Sequence, residues 1–236
     1  MMPKLYFLGF LFIFSLAGMT ETQSNCESLK PQKVHFQSRN FHNILHWQPG
    51  RACTSNNNFS NGIFYAVQYK IYGEGSWINK ENCSDTQQLF CDLTTETSLI
   101  RESYYGRVRM NYTGRLSDWV VTKRFIPFWK TKIDSPYMNV TQGNQSLLVS
   151  LCPPNLPSRA PRENSMTMEK YYELLYRVFI TNMSLGKEQM VYEGTQRIVE
   201  IEALTPHQTF CVVSEMYQPK FGRRSQRSEK RCVKIS

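Results

Sequence analysis

The side chains able to do chemistry in this 236-residue sequence are few: four histidines, His35, His42, His46 and His207, seven cysteines, and a basic run at residues 222–231. His42 and His46 stand four apart, a spacing that chelates a metal ion on a helix. Leu45 and Trp47 alternate with polar neighbours there, which is strand patterning, and on a strand four residues span ~13 Å, too far to share an ion. No Cys-x-x-Cys or Cys/His cluster offers a zinc site, no glycine-rich loop cradles phosphate, and no Gly-x-Ser-x-Gly presents a nucleophile. Nothing in the sequence pairs a nucleophile with a base or two acids in a pocket. The expectation is a binding protein with no catalytic residue, no metal and no cofactor.

The compartment follows from the amino terminus. Lys4, an apolar run over residues 5–16 and the small residues Ala17 and Gly18 read as a secretory signal peptide, assigned to residues 1–21. The run is shorter than the ~20 residues of a bilayer span, and no second span or lipid-anchor tail follows. A secreted, extracellular protein with no membrane span is expected. Six glycosylation sequons, at Asn58, Asn82, Asn111, Asn139, Asn144 and Asn182, fit that route, with Cys83 lying inside the second. In an oxidising compartment Cys83 pairs with Cys91 around a short loop and Cys211 with Cys232 across a hairpin, each contributing ~3 kcal/mol in the chain-entropy model. Cys26, Cys53 and Cys152 are then spare: the first two can bridge, and Cys152 is a free thiol or an intermolecular handle, with a monomer as the default. Formal net charge is +9. Secretion argues against a nucleic-acid partner, so the basic run is either a site for sulfated glycans or, the preferred reading, a solvated hairpin edge.

The elements come from a repeat. Residues 45–49 match 149–153, residues 65–69 match 172–176, residues 104–110 match 210–216, and Pro31 matches Pro136, all at nearly one offset. Each copy shows short runs of period-two alternation broken by turn residues, the pattern of a seven-stranded antiparallel sandwich. The fold class is therefore all-β, with domains at 26–128 and 133–236 and an aromatic linker around residues 125–130 that packs as an elbow. In the strand from Tyr104 to Met110, alternate residues face the core while Arg107 and Arg109 face outward. With Trp119 on the next strand they predict an Arg–Trp stack worth ~0.5–2 kcal/mol per contact. Leu204, Thr205 and Pro206 lead to a tyrosine corner in which Phe210 keeps the packing but lacks the hydroxyl.

Leu45-His46-Trp47-Gln48-Pro49, Tyr69-Lys70-Ile71-Tyr72-Gly73, Tyr104-Tyr105-Gly106-Arg107, Ser117-Asp118-Trp119 and Leu204-Thr205-Pro206, in that order, resemble a class II cytokine receptor ectodomain. The resemblance covers essentially the whole chain after the leader and implies two tandem fibronectin type III (immunoglobulin-like) β-sandwiches joined at an elbow. It implies a helical cytokine of the interleukin-10 family as partner, interleukin-22 first among them, bound by a soluble decoy that withholds it from its membrane receptor. Loops alternate between the ends of a sandwich, so four groups belong at the elbow: Tyr72, Gly73 and Glu74; Leu99 and Arg101; Met166 and Met168; and Pro219, Lys220 and Phe221. These are the expected cytokine contacts, with Tyr72 the first anchor because tyrosine combines rigid area with a polar tip and Gly73 opens the backbone beside it. The turn at Tyr112, Thr113 and Gly114 belongs to the far end. The alternative function is an extracellular fibronectin-type adhesion or glycosaminoglycan-binding module.

Overall fold

The computed structural model describes residues 29–50, 62–157 and 167–236. The leader, Cys26, Cys53, the Asn58 sequon and Met166 lie outside the described residues.

Period-two alternation produces the strands. The first sandwich is built from β1 (Gln32–Arg39), β2 (His42–Gln48), β3 (Ile63–Ile71), β4 (Ile78–Asn79), β5 (Phe90–Asp92), β6 (Tyr104–Tyr112), β7 (Arg115–Leu116) and β8 (Val120–Val121). One sheet has the order β1-β2-β5; the other runs β4-β3-β6-β7, with β8 also on β6. In β6 Tyr104, Gly106, Val108 and Met110 are buried and the residues between them are half-buried, as the alternation requires. Leu45, Trp47, Val67 and Leu93 complete the core. Gly106 has a packing reason: a Cβ there would meet Leu45 and Phe36 side-chain atoms at 3.2 Å.

The second sandwich repeats this plan with β9 (Tyr137–Gln142), β10 (Leu147–Cys152), β11 (Leu175–Asn182), β12 (Lys187–Gly194), β13 (Ile198–Ile201), β14 (Thr209–Gln218), β15 (Arg223–Arg224) and β16 (Arg231–Lys234). Its sheets are ordered β13-β10-β9 and β12-β11-β14-β15, with β16 on β14. The register corrects one match in the repeat. Tyr65 lies opposite Met110 and Tyr176 opposite Met216, so Tyr176, not Tyr172, is the counterpart of Tyr65. A period-two pattern fits itself equally well after a slip of four residues, and Tyr172 is thereby released from the strand to serve in the elbow. The tyrosine corners differ as the side chains dictate: Tyr104 Oη donates to the Leu99 carbonyl at 3.2 Å, whereas Phe210 is only packed.

Cys83 is bonded to Cys91, and Cys211 to Cys232 across the β14–β16 pair, where the two cysteines face each other in register. Cys152 is a free, exposed thiol. Arg107 stacks between Trp119 at 4.4 Å and Trp77 at 4.2 Å, with Arg109 on Trp119 and Lys70 on Trp77, so the ladder is longer than the sequence predicted. A second ladder, unforeseen, occupies the same face of the second sandwich. Arg177 lies 3.5 Å from the Tyr217 ring and Arg227 4.3 Å from Phe179, and both flank the buried Glu215. His46 faces His35 across the β1–β2 ladder, and burial followed by the His35 charge lowers its pKa.

Candidate functional site at the elbow

The elbow is assembled around Phe128 of the short helix α1 (Pro127–Lys130). Its ring lies 4.8 Å from Tyr172, 4.8 Å from Trp129 and 6.1 Å from Phe221, with the Arg101 guanidinium 4.7 Å above it. Its carbonyl accepts hydrogen bonds from Tyr172 Oη at 2.6 Å and Arg223 Nη1 at 2.8 Å, while Arg223 Nη2 donates to Thr131 O at 2.8 Å. Burial raises the Tyr172 pKa, so the phenol is a firm donor. Three chain segments distant in sequence, near Arg101, Phe128 and Phe221, therefore meet at one ring.

The β1–β2 turn closes the other side. Asn40 and Phe41 both adopt positive φ, +48° and +63°, the geometry of a two-residue hairpin that follows strand twist. Phenylalanine is ill suited to that conformation, and burial holds it there: its ring packs on Tyr171 and Tyr172 of the second sandwich. Asn40 and Asp134 exchange hydrogen bonds at 2.8 and 3.0 Å, Arg39 pairs with Asp134, and Asn40 N donates to Lys132 O at 2.9 Å. Phe41, Ile100, Phe128 and Ile133 belong to the same apolar cluster as Leu151, Met168, Tyr176 and Met216, so the second core runs through the linker into the first domain.

On this base the expected contact residues take different positions. Tyr72 is 57% exposed and Leu99 60%, while Phe221 at 40% packs its ring 4.8 Å from Trp129. Tyr72 is held from below by Arg124, 4.1 Å from its ring, and by Tyr105, and its amide donates to Ser103 O at 2.7 Å. Gly73 has φ +92° with open space where a Cβ would point, so the turn needs glycine and leaves the ring's flank clear. Glu74, Arg101, Pro219 and Lys220 are exposed. Met168 is corrected: it is fully buried at the start of the short 3-10 helix Met168–Lys170 and supports the elbow from within. That helix is pinned through Glu169, which accepts from Tyr176 Oη at 2.6 Å, from Thr167 Oγ1 at 3.2 Å and from Arg197. Burial works against ionising Glu169, but the hydrogen bonds and the Arg197 charge outweigh it and hold its pKa below the usual value.

The sequence reading missed Phe41 and Arg124, while Trp129 lay in the aromatic linker expected to pack at the elbow. The pairing of Phe41 with the second domain depends on the elbow angle, which period-two alternation does not supply. The basic run is also reassigned. Arg223 secures the linker, Arg227 lies in the second ladder and pairs with Glu188, and Arg231 pairs with Glu229, so three of its cations are engaged within the chain. Among the sequons, Asn82, Asn139 and Asn144 are exposed, whereas Asn111 and Asn182 are half-buried and hydrogen-bonded in turns.

Comparison with known proteins decides the family. A tissue factor family model matches residues 7–119, and an interferon-alpha/beta receptor, fibronectin type III, model matches residues 131–236. The chain is 56% identical to "Interleukin-22 receptor subunit alpha-2" of Homo sapiens and 55% to that of Mus musculus, each over 100% of both chains. The chain belongs to the class II cytokine receptor family. The receptor is also 31% identical to "Interleukin-20 receptor subunit alpha" of Mus musculus, over 88% of this chain and 37% of that protein. Its fold matches the crystal structure of the chicken interferon gamma receptor alpha chain with a TM-score of 0.67 at 23% identity, covering 87% of this chain and 98% of that one. The receptor is a binding protein of two tandem fibronectin type III-like sandwiches and not an enzyme. Among the described residues, no helix is long and apolar enough to cross a membrane.

Proposed function

We propose that the chain is a secreted receptor that binds interleukin-22, a helical cytokine of the interleukin-10 family, and acts as a decoy. The observation that carries this reading is full-length identity of 55–58% with three proteins named interleukin-22 receptor subunit alpha-2. Tyr72, Gly73 and Glu74 form the first contact group, Leu99 and Arg101 the second, and Pro219, Lys220 and Phe221 the third. Met166, outside the described residues, is kept as a contact on the sequence reading alone. Support comes from their arrangement: exposed apolar side chains backed by cations and rings, which is the make-up of a hot spot inside a polar rim. A contact of standard size takes ~800 Å² from each partner, and the cytokine face so covered is closed to a membrane receptor. The domains of this reading are 26–128 and 133–236, the leader is 1–21, the six sequons carry glycans and the protein is a monomer. Immobilised interleukin-22 titrated with the purified secreted chain tests it. Saturable binding that also suppresses an interleukin-22 reporter cell is expected; saturable binding with no suppression would refute the decoy role, and no binding would refute the receptor reading.

A further inference from the structure

We infer that a groove in the first sandwich is a docking site for a sulfated glycosaminoglycan. The groove has a volume of about 720 Å³ and runs between β1 and the segment leading from β8 into α1. Lys33, Lys123, Arg124 and Lys130 line it together with His35, and the lining contains no carboxylate. None of these four cations has a carboxylate within ion-pair distance among the described residues, whereas Lys30, Arg39, Lys80, Arg177, Arg197 and Arg227 all do. Four like charges with no carboxylate partner among the described residues, set around one concavity, repel one another and focus a positive potential that an anion relieves. Phe36 and Phe125 stack at 4.3 Å beneath, so the cations surround an apolar floor. At Lys33 the backbone turns to φ +51° within a register shift of the β1–β2 ladder, a departure from regular strand geometry at the groove wall.

The size and spacing choose the ligand class. A single phosphate or sulfate needs two or three converging donors, but these cations come from β1, the segment after β8 and α1, around a space on the scale of a drug-sized ligand. A chain that repeats sulfates along sugar rings meets both features: its anions reach the rim cations, and its ring faces lie over the aromatic floor. The site differs from residues 222–231, where the sequence offered such binding only as the alternative to a solvated hairpin edge and where Arg223, Arg227 and Arg231 are engaged within the chain. It also touches the elbow. Arg124 lines the groove and supports the Tyr72 ring, so glycan and cytokine faces share one wall. The inference rests on the proposed secretion, since sulfated glycans are extracellular.

Heparin affinity chromatography of the full secreted chain, with a heparin hexasaccharide titration beside it, tests this. The unaltered chain is expected to stay on the column beyond ~0.15 M salt. Lys33→Asn/Lys123→Ser/Lys130→Ser, which keeps Arg124 and places a left-handed-tolerant residue at 33, should elute well earlier. Its hexasaccharide Kd should rise about tenfold, with a log–log salt slope lower by ~2 for the three charges removed. Arg224→Ser/Lys230→Ser on the carboxyl-terminal hairpin should elute with the unaltered chain. Flow-through of the unaltered chain at ~0.15 M salt, equal elution of the triple variant, or displacement of hexasaccharide by equimolar inorganic phosphate would overturn the inference. Interleukin-22 capture, scored on the same samples with thermal midpoint as the folding control, separates the two readings. A chain that holds heparin but no cytokine refutes the receptor reading alone, and a chain that captures cytokine but not heparin refutes this one alone.

Discussion

Tyr72 and Tyr104 put similar side chains to opposite uses. Tyr72 is exposed and backed by Arg124, so truncation removes a rigid ring from the proposed contact without opening a core. Tyr72→Ala should therefore weaken interleukin-22 binding by ~2 kcal/mol or more, mainly through the dissociation rate, with an unchanged thermal midpoint. Surface plasmon resonance showing less than a threefold change would remove it as the anchor. Tyr104 is buried and its hydroxyl donates to the Leu99 carbonyl. Tyr104→Phe keeps the ring and loses that bond, as Phe210 does naturally in the second sandwich. A loss of ~1 kcal/mol in urea unfolding is expected, with cytokine affinity altered only as far as Leu99 shifts.

Among the elements, the segment Met168–Lys170 and the two arginine ladders show what a single sequence makes legible. The first ladder could be read because Arg107 and Arg109 lie on β6, whose facing is set by period-two alternation, although Trp119 sits just before β8 and not, as expected, on a strand. Its extension to Trp77 could not, since Trp77 follows a glycine-containing turn. The second ladder needs the cross-strand register of Phe179, Arg177 and Glu215, which alternation alone does not supply. Met168 looked available in a loop and proved to be core, because it opens a short 3-10 helix pinned by Glu169. That pin titrates. Glu169 has a folded pKa below its ordinary value, so its contribution is present above the unfolded pKa of about 4.5 and fades as pH falls through the folded value. Thermal midpoints measured from pH 6 to pH 3 should show an acid-side decline that Glu169→Gln flattens; parallel curves would contradict the assignment.

At the scale of the molecule, two copies of one fold become a single object at the elbow. The duplication and the sandwich class were legible from repeated landmarks and turn spacing, and the aromatic linker announced a packed joint. Arg101 and the linker carrying Phe128 were placed at the joint, but their partners Phe41, Tyr172 and Arg223 were not legible, because they converge there only once both domains are placed. Phe41→Ala should cost ~3–5 kcal/mol as a buried aromatic truncation. Together with Arg223→Ala, which strips donors from two linker carbonyls, it should loosen the angle between domains, seen as a larger radius of gyration in small-angle scattering. An unchanged radius would mean that the joint is held elsewhere.

The central claim is that this joint presents one composite face to a cytokine. The most direct measurement is a binding titration of interleukin-22 against the full chain, repeated with Tyr72→Ala and Phe221→Ala singly and together. The account predicts saturable binding by the unaltered chain and losses in both single variants, although the two residues come from different domains. Absence of binding, or full affinity in the double variant, would contradict it.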